Sequence, residues 1–164
     1  MANLTKLESK LAEVLGLAMA AQDSVRQVRG MLDSEHEGLA KKLKQAGEEA
    51  KETTKRSTAL ASSFKGKKTA IVDKAREVKT EATQMREAYL DGEEDPLDGF
   101  EFLTMAEAGE VGHWAIVAKL NERAGNPELR KLTEWALPIQ QRHLQDVLDG
   151  SLKLAAAEDP NEEE

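Results

Sequence analysis

The chain has 164 residues, 33% of them charged and 4% aromatic, with no cysteine and a formal net charge of −8. That composition excludes disulfides, thiolate metal sites and iron–sulfur ligation, argues against nucleic acid as a partner, and favours long helices over sheet. No apolar run approaches the ~20 residues of a membrane span, and Leu4 to Gly16 is interrupted by Lys6, Glu8, Lys10 and Glu13, which leaves no secretory signal core; a cytoplasmic protein with no membrane partner is expected.

The periodicity predicts a first helix from about Leu4 to Leu32, capped by Asn3 or Thr5. Its stripe is Leu4, Leu7, Leu11, Val14, Ala18, Ala21, Val25, Val28 and Leu32, a sustained heptad with a small-residue centre. Asp33-Ser34 breaks the pattern, and Ser34 with Glu37 reads as a capping box. A second helix then runs to about Phe64 on His36, Leu39, Leu43, Ala46, Ala50, Thr53, Ser57, Leu60 and Phe64, with Glu49 flanking the stripe. A third, from about Thr69 to Leu90, presents Ile71, Ala75, Val78, Ala82, Met85 and Tyr89 on one face and charge on the other, so it is expected along the outside.

An acidic loop, Asp91 to Pro96, leads into a helical hairpin whose first arm is expected to begin at Asp98. The hairpin turns at Ala124-Gly125-Asn126-Pro127, where Gly and Asn suit a helix stop and Pro the first turn of the next helix. In the first arm Leu103, Ala106, Glu110, His113, Val117 and Leu120 recur in steps of three and four; in the second, Leu129, Leu132, Ala136, Ile139, His143 and Val147 do so, with Gln140 at the flank. A carboxylate and two imidazoles thus stand where a plain core places leucine. At a rise of ~1.5 Å per residue, they lie about 25 Å from the turn.

A buried Glu beside imidazoles is costly unless it is paired or bound to a metal. Glu110-Val-Gly-His113 sets both side chains on one helical face, one turn apart, and carboxylate plus imidazole suits iron, manganese or zinc. Gly109 and Gly112 flank Glu110, read either as close helix approach or as room for a metal, water or small ligand. Beyond Gly150 the chain trails into Glu158-Asp-Pro-Asn-Glu-Glu-Glu164. Residues 1–154 are therefore expected to form one domain, and 155–164 a disordered acidic tail.

The run Phe102-Leu-Thr-Met-Ala-Glu-Ala-Gly-Glu110-Val-Gly-His113 resembles the third bundle helix of the ferritin-like superfamily, near its rubrerythrin-like and small bacterial stress-associated members. Leu137-Pro-Ile-Gln140-Gln-Arg-His143-Leu resembles the fourth, where Glu-x-x-His is usual. The likeness is clearest over residues 98–150 and extends to the first two helices as architecture. It implies an all-α, ferritin-like antiparallel bundle of about five helices, with the helix at about 69–90 as the crossover that lets helices two and three of the bundle run parallel. It also implies an iron or manganese centre between the last two helices, serving oxidation or oxidative-stress protection. The implied ligands are Glu110, His113 and His143, with Gln140, Glu49 and Glu13 as near ones. Position 140 is Gln where the family has Glu, and the N-terminal half holds no Glu-x-x-His, so a mononuclear set of two histidines and a carboxylate fits better than a di-iron one. The alternative is a non-catalytic stress or scaffold bundle without the metal site, its heptad seams allowing homo-oligomer formation.

Overall fold

The computed structural model describes residues 2–163; Met1 and Glu164, the last residue of the expected tail, lie outside the described residues. Its elements are α1 (Lys6–Arg29), a 3-10 turn (Ser34–His36), α2 (Glu37–Ala61), α3 (Lys68–Leu90), α4 (Pro96–Ala124) and α5 (Pro127–Ala155). There is no strand among the described residues, and no helix is long and apolar enough to cross a membrane.

Local chemistry sets most of the helix ends. Thr5 caps α1 through a reciprocal box: its hydroxyl accepts from the Glu8 amide, and the Glu8 carboxylate accepts from the Thr5 amide. Asp33, rather than Ser34, caps the second start, and what it caps is the 3-10 turn; α2 begins only at Glu37 and ends at Ala61. Asp95 and Asn126 cap α4 and α5, each with Pro at the first position. Gly125 closes α4 in the left-handed region (φ 68°), a conformation glycine adopts without steric cost.

Side-chain pairings give the topology. Gln22 meets Thr54, so α1 and α2 are neighbours. Lys42–Asp146, Glu49–Arg142 and Arg56–Trp135 run α2 and α5 antiparallel. Glu13–His113 at one end and Val28 against Gly99 at the other run α1 and α4 antiparallel. Gly16 against Ala75 and Asp23 with Lys79 set α3 parallel to α1. The helix α3 therefore returns the chain to the end where α2 began, and α2 and α4 run parallel. The outcome is an all-α bundle of five helices with α3 as its crossover.

α1 is the central helix, packed against α2, α3 and α4. It buries a second face beyond its heptad, including Ala12, Leu15, Gly16 and Ala20. Gly16 is required there: a Cβ at that position would stand 2.4 Å from the Ala75 carbonyl oxygen. Beneath this frame lie two apolar clusters. One holds Leu11, Val14, Leu60, Ile71, Trp114, Val117 and Leu129; the other holds Val25, Val28, Leu43, Phe100, Leu103, Val147 and Leu154.

Three helical faces differ from the expected ones. α4 buries Leu103, Glu107, Glu110, Trp114, Val117 and Asn121, a stripe rotated from the one through His113. The rotation puts the indole of Trp114 in the core at 0% exposure, and burying that large apolar surface outweighs burying an imidazole. In α5 it is Gln140 that is buried and Ile139 that stays half-exposed. In α3 the first half packs through Ile71 and Ala75, both fully buried, while Met85 and Tyr89 in the second half are 53% and 58% exposed. α3 is thus seated at Ile71 and Ala75 and again at Leu90, with Met85 and Tyr89 exposed between.

Candidate functional site

Between the two apolar clusters lies a polar layer. α4 contributes Glu107 and Glu110, α5 contributes Gln140 and His143, and all four are at most 6% exposed. α2 contributes Glu49. The Gln140 amide donates to the Glu107 carboxylate, and the Arg142 guanidinium donates to Glu49. The His143 ring sits between the two acids, Nε2 at 3.6 Å from Glu49 Oε2 and Nδ1 at 3.8 Å from Glu107 Oε2. Those separations exceed hydrogen-bond distance, and both His143 Nε2 and Glu49 Oε1 are buried without a hydrogen-bond partner.

Burial sets the protonation of this layer. It pushes the Glu107 carboxyl up to about 7, with the Gln140 hydrogen bond acting against the rise. It holds Glu110 well above the ordinary carboxylate range, and the neighbouring Glu107 adds to that. Burial also holds His143 below its ordinary value; Glu49 opposes that shift and Arg142 reinforces it. In all three groups burial favours the uncharged form. A layer of low net charge is what an apolar core tolerates. Chemically, it sets a carboxyl held near 7 beside a buried imidazole.

The six residues implied as metal ligands divide into groups. Glu49, Gln140 and His143 meet in the layer with Glu107. Glu13 and His113 meet elsewhere, on the α1–α4 side, with His113 Nε2 3.5 Å from Glu13 Oε2. His113 is partly exposed and donates from Nδ1 to the Gly109 carbonyl at 2.8 Å, while Glu13 is also held by Lys10 at 2.7 Å. Glu110 is buried, yet no hydrogen bond or ion pair joins it to His113 or His143. Among the described residues, no three His, Asp or Glu side chains are placed to hold one ion. The geometry of His143 shows why: Glu49 and Glu107 approach different nitrogens of one ring and share no common point. As arranged, the donor set does not fit a metal centre.

Glu107 is the residue that periodicity passed over. Leu103, Glu107, Glu110, Trp114 and Val117 recur in steps of three and four as regularly as the stripe through His113. The available signal was Trp114, since a helix with one tryptophan and one histidine at adjacent positions gains more by burying the former.

Glu107 and Glu110 also reach the far side of α4. There, with Glu13, His113 and Gly109, they line a cavity of about 500 Å³ that lies between α1, α3 and α4 and opens to solvent. Gly109 and Gly112 have nothing within 4 Å of a notional Cβ, so neither serves close helix approach.

Fold and site together define an all-α five-helix bundle crossed by a buried carboxylate–imidazole–amide layer. No protein-family profile matches the chain, and neither a curated protein nor a solved structure is significantly similar to it.

Proposed function

We propose that this chain is a ferritin-like bundle acting as a non-catalytic binding or scaffold protein, with internal pairings in place of the family's metal layer. The observation that carries this reading is the pairing of Gln140 with Glu107 and of Arg142 with Glu49. An amide and a guanidinium from α5 take the carboxylates that a metal would need. On α1, Ala18 and Ala21 fill the centre of the seam, so that helix brings no acid to the layer. The cytoplasmic setting belongs to the same reading, supported by the acidic composition and the lack of cysteine. Self-association is supported by the exposed apolar side chains Ile116, Leu148 and Leu152.

Elemental analysis of untagged protein purified without chelator tests the proposal. The expected result is iron and manganese far below one ion per chain, and a Tm unmoved by Fe(II) or Mn(II). One ion per chain, lost in His143→Ala, would overturn it.

A second reading, iron or manganese binding, is favoured by one specific observation: Glu49 Oε1 and His143 Nε2 are both buried without hydrogen-bond partners, and the same imidazole nitrogen lies 3.6 Å from Glu49 Oε2. Glu49 and His143 would be its ligands, with Glu107 freed from Gln140. An ion so held would supply oxygen- or peroxide-directed redox chemistry. The same elemental analysis separates the two readings.

A further inference from the structure

We infer that the cavity between α1, α3 and α4 is a binding site for a small molecule with one amine head on an apolar body, and that Glu110 receives the head. The inference does not rest on whether the polar layer holds a metal: Glu110 belongs to that layer and also lines the cavity, but no hydrogen bond or ion pair joins it to His143 or Gln140.

The cavity holds about 500 Å³, within the range of small-ligand sites. Its volume has a cause in the sequence. Small residues from three helices, Ala20, Ala82, Ala106 and Gly109, line it, and nothing lies within 4 Å of a Cβ built on Gly109. The walls are apolar, with Leu17, Val78 and Leu103 inside and Met85 and Met105 at the mouth. Both methionines are more than two-fifths exposed. Methionine at an opening suits varied apolar shapes, because its side chain is unbranched and polarizable.

The polar end is specific. Glu110 is 5% exposed and lines this cavity, yet it makes no hydrogen bond or ion pair. A buried carboxyl in that state bears a desolvation cost that a bound donor would relieve. Charge decides which donor. The basic side chains around the cavity are already engaged: Lys10 with Glu13 at 2.7 Å, His113 with Glu13 at 3.5 Å, and Lys74 with Glu77 at 3.6 Å. Glu81 and Glu110 have no cation partner. The groups left unpaired are therefore acidic, which favours an ammonium group over a carboxylate or phosphate head. On binding, the Glu110 carboxyl, which burial holds toward its protonated form, passes its proton to the free amine or releases it to solvent as the ammonium docks; the ammonium then donates to the resulting carboxylate, and only a proton has moved.

Calorimetric titration with octylamine, octanol and octanoate, with EDTA present throughout, tests this. Octylamine is expected to bind, octanol at least tenfold more weakly, and octanoate not measurably. Glu110→Gln should weaken octylamine at least tenfold, and Ala106→Phe, which fills the cavity, should abolish its binding. A lack of octylamine binding, equal affinity in Glu110→Gln, or octanoate binding as tightly as the amine would each overturn the inference. Amide chemical shifts of the unmodified protein decide independently of how any variant folds. Octylamine-induced shifts clustered on Ala20, Val78 and Gly109 support the site; shifts centred on Leu148 and Leu152 would overturn it.

Discussion

Gln140 on α5 donates its amide to Glu107 on α4, closing the centre of the bundle with a contact between residues 33 apart in sequence. The amide suits this place because it offers donors to an acid without adding charge. Gln140→Glu is expected to set two buried carboxyls against each other. At pH 8 the variant should lose about 3 kcal/mol by denaturant unfolding, and the gap from the parent should narrow as pH falls toward 5. A variant as stable as the parent at pH 8 without metal would mean that the Glu107 contact does not restrain the core.

The raised carboxyls also fix the sign of the pH dependence. Glu107 shifts from an ordinary 4.5 up to about 7, so the folded chain binds more protons than the unfolded one across that window. Stability contributed by the neutral acid is present in full below pH 4.5 and is lost as pH rises through about 7. His143 works in the opposite sense. Its folded value lies below the ordinary 6.5, so its contribution is present above 6.5 and is lost as pH falls. Glu107→Gln should flatten the decline between pH 4.5 and 7, and His143→Phe should remove part of the loss on the acid side. Tm measured across this range checks both. An unchanged slope in Glu107→Gln would show that this carboxyl titrates alike in both states.

Much of the architecture was legible in the chain. The capping chemistry at Thr5, the Gly125-Asn126-Pro127 turn and the long heptad of α1 each act locally, so sequence alone specifies them. The outer position of α3 followed from its charged face. Helical phase in α4 and α5 was not settled this way. Two stripes one residue apart, through His113 or through Trp114, have equal periodicity, and only the packing of α4 against both α1 and α5 selects between them. Burial follows phase: Glu110 and His143 are buried as the periodicity expects, His113 is partly exposed, and Glu107 lies on the buried stripe through Trp114. The cavity had no sequence signature, since it arises where small residues from three helices coincide.

Two glycines separate close approach from open space. Gly16→Ala would bring a Cβ to 2.4 Å from the Ala75 carbonyl and 2.7 Å from Val78 Cβ, and a backbone atom cannot yield cheaply. A loss of about 1–3 kcal/mol is expected, with α3 moving away from α1. Gly109→Ala meets nothing within 4 Å and removes a flexible residue from a helix interior. It should stabilise by about 0.5–1 kcal/mol. Denaturant midpoints of the two variants check this opposition, and a destabilising Gly109→Ala would show that the backbone there needs glycine for a reason other than space.

The hairpin turn depends on a residue outside it. Asn121, 3% exposed, donates from Nδ2 to the Asn126 carbonyl at 2.9 Å and accepts from the Asn126 amide at 3.1 Å. Asn126 in turn caps α5 by accepting from the amides of Glu128 and Leu129. One buried side chain thereby orients the residue that starts the next helix. Asn121→Ala leaves both Asn126 backbone groups without these partners and should cost about 1–3 kcal/mol. Asn121→Asp keeps the acceptor but loses the donor and adds a buried charge, so it should be no better than alanine at pH 8 and should recover as the acid protonates. Amide hydrogen exchange at Leu129 and Arg130 gives the local readout. Faster exchange there in Asn121→Ala, with the Trp114 region unchanged, is the expected pattern. Uniform acceleration across α4 and α5 would instead make Asn121 part of the global core rather than a clasp on the turn.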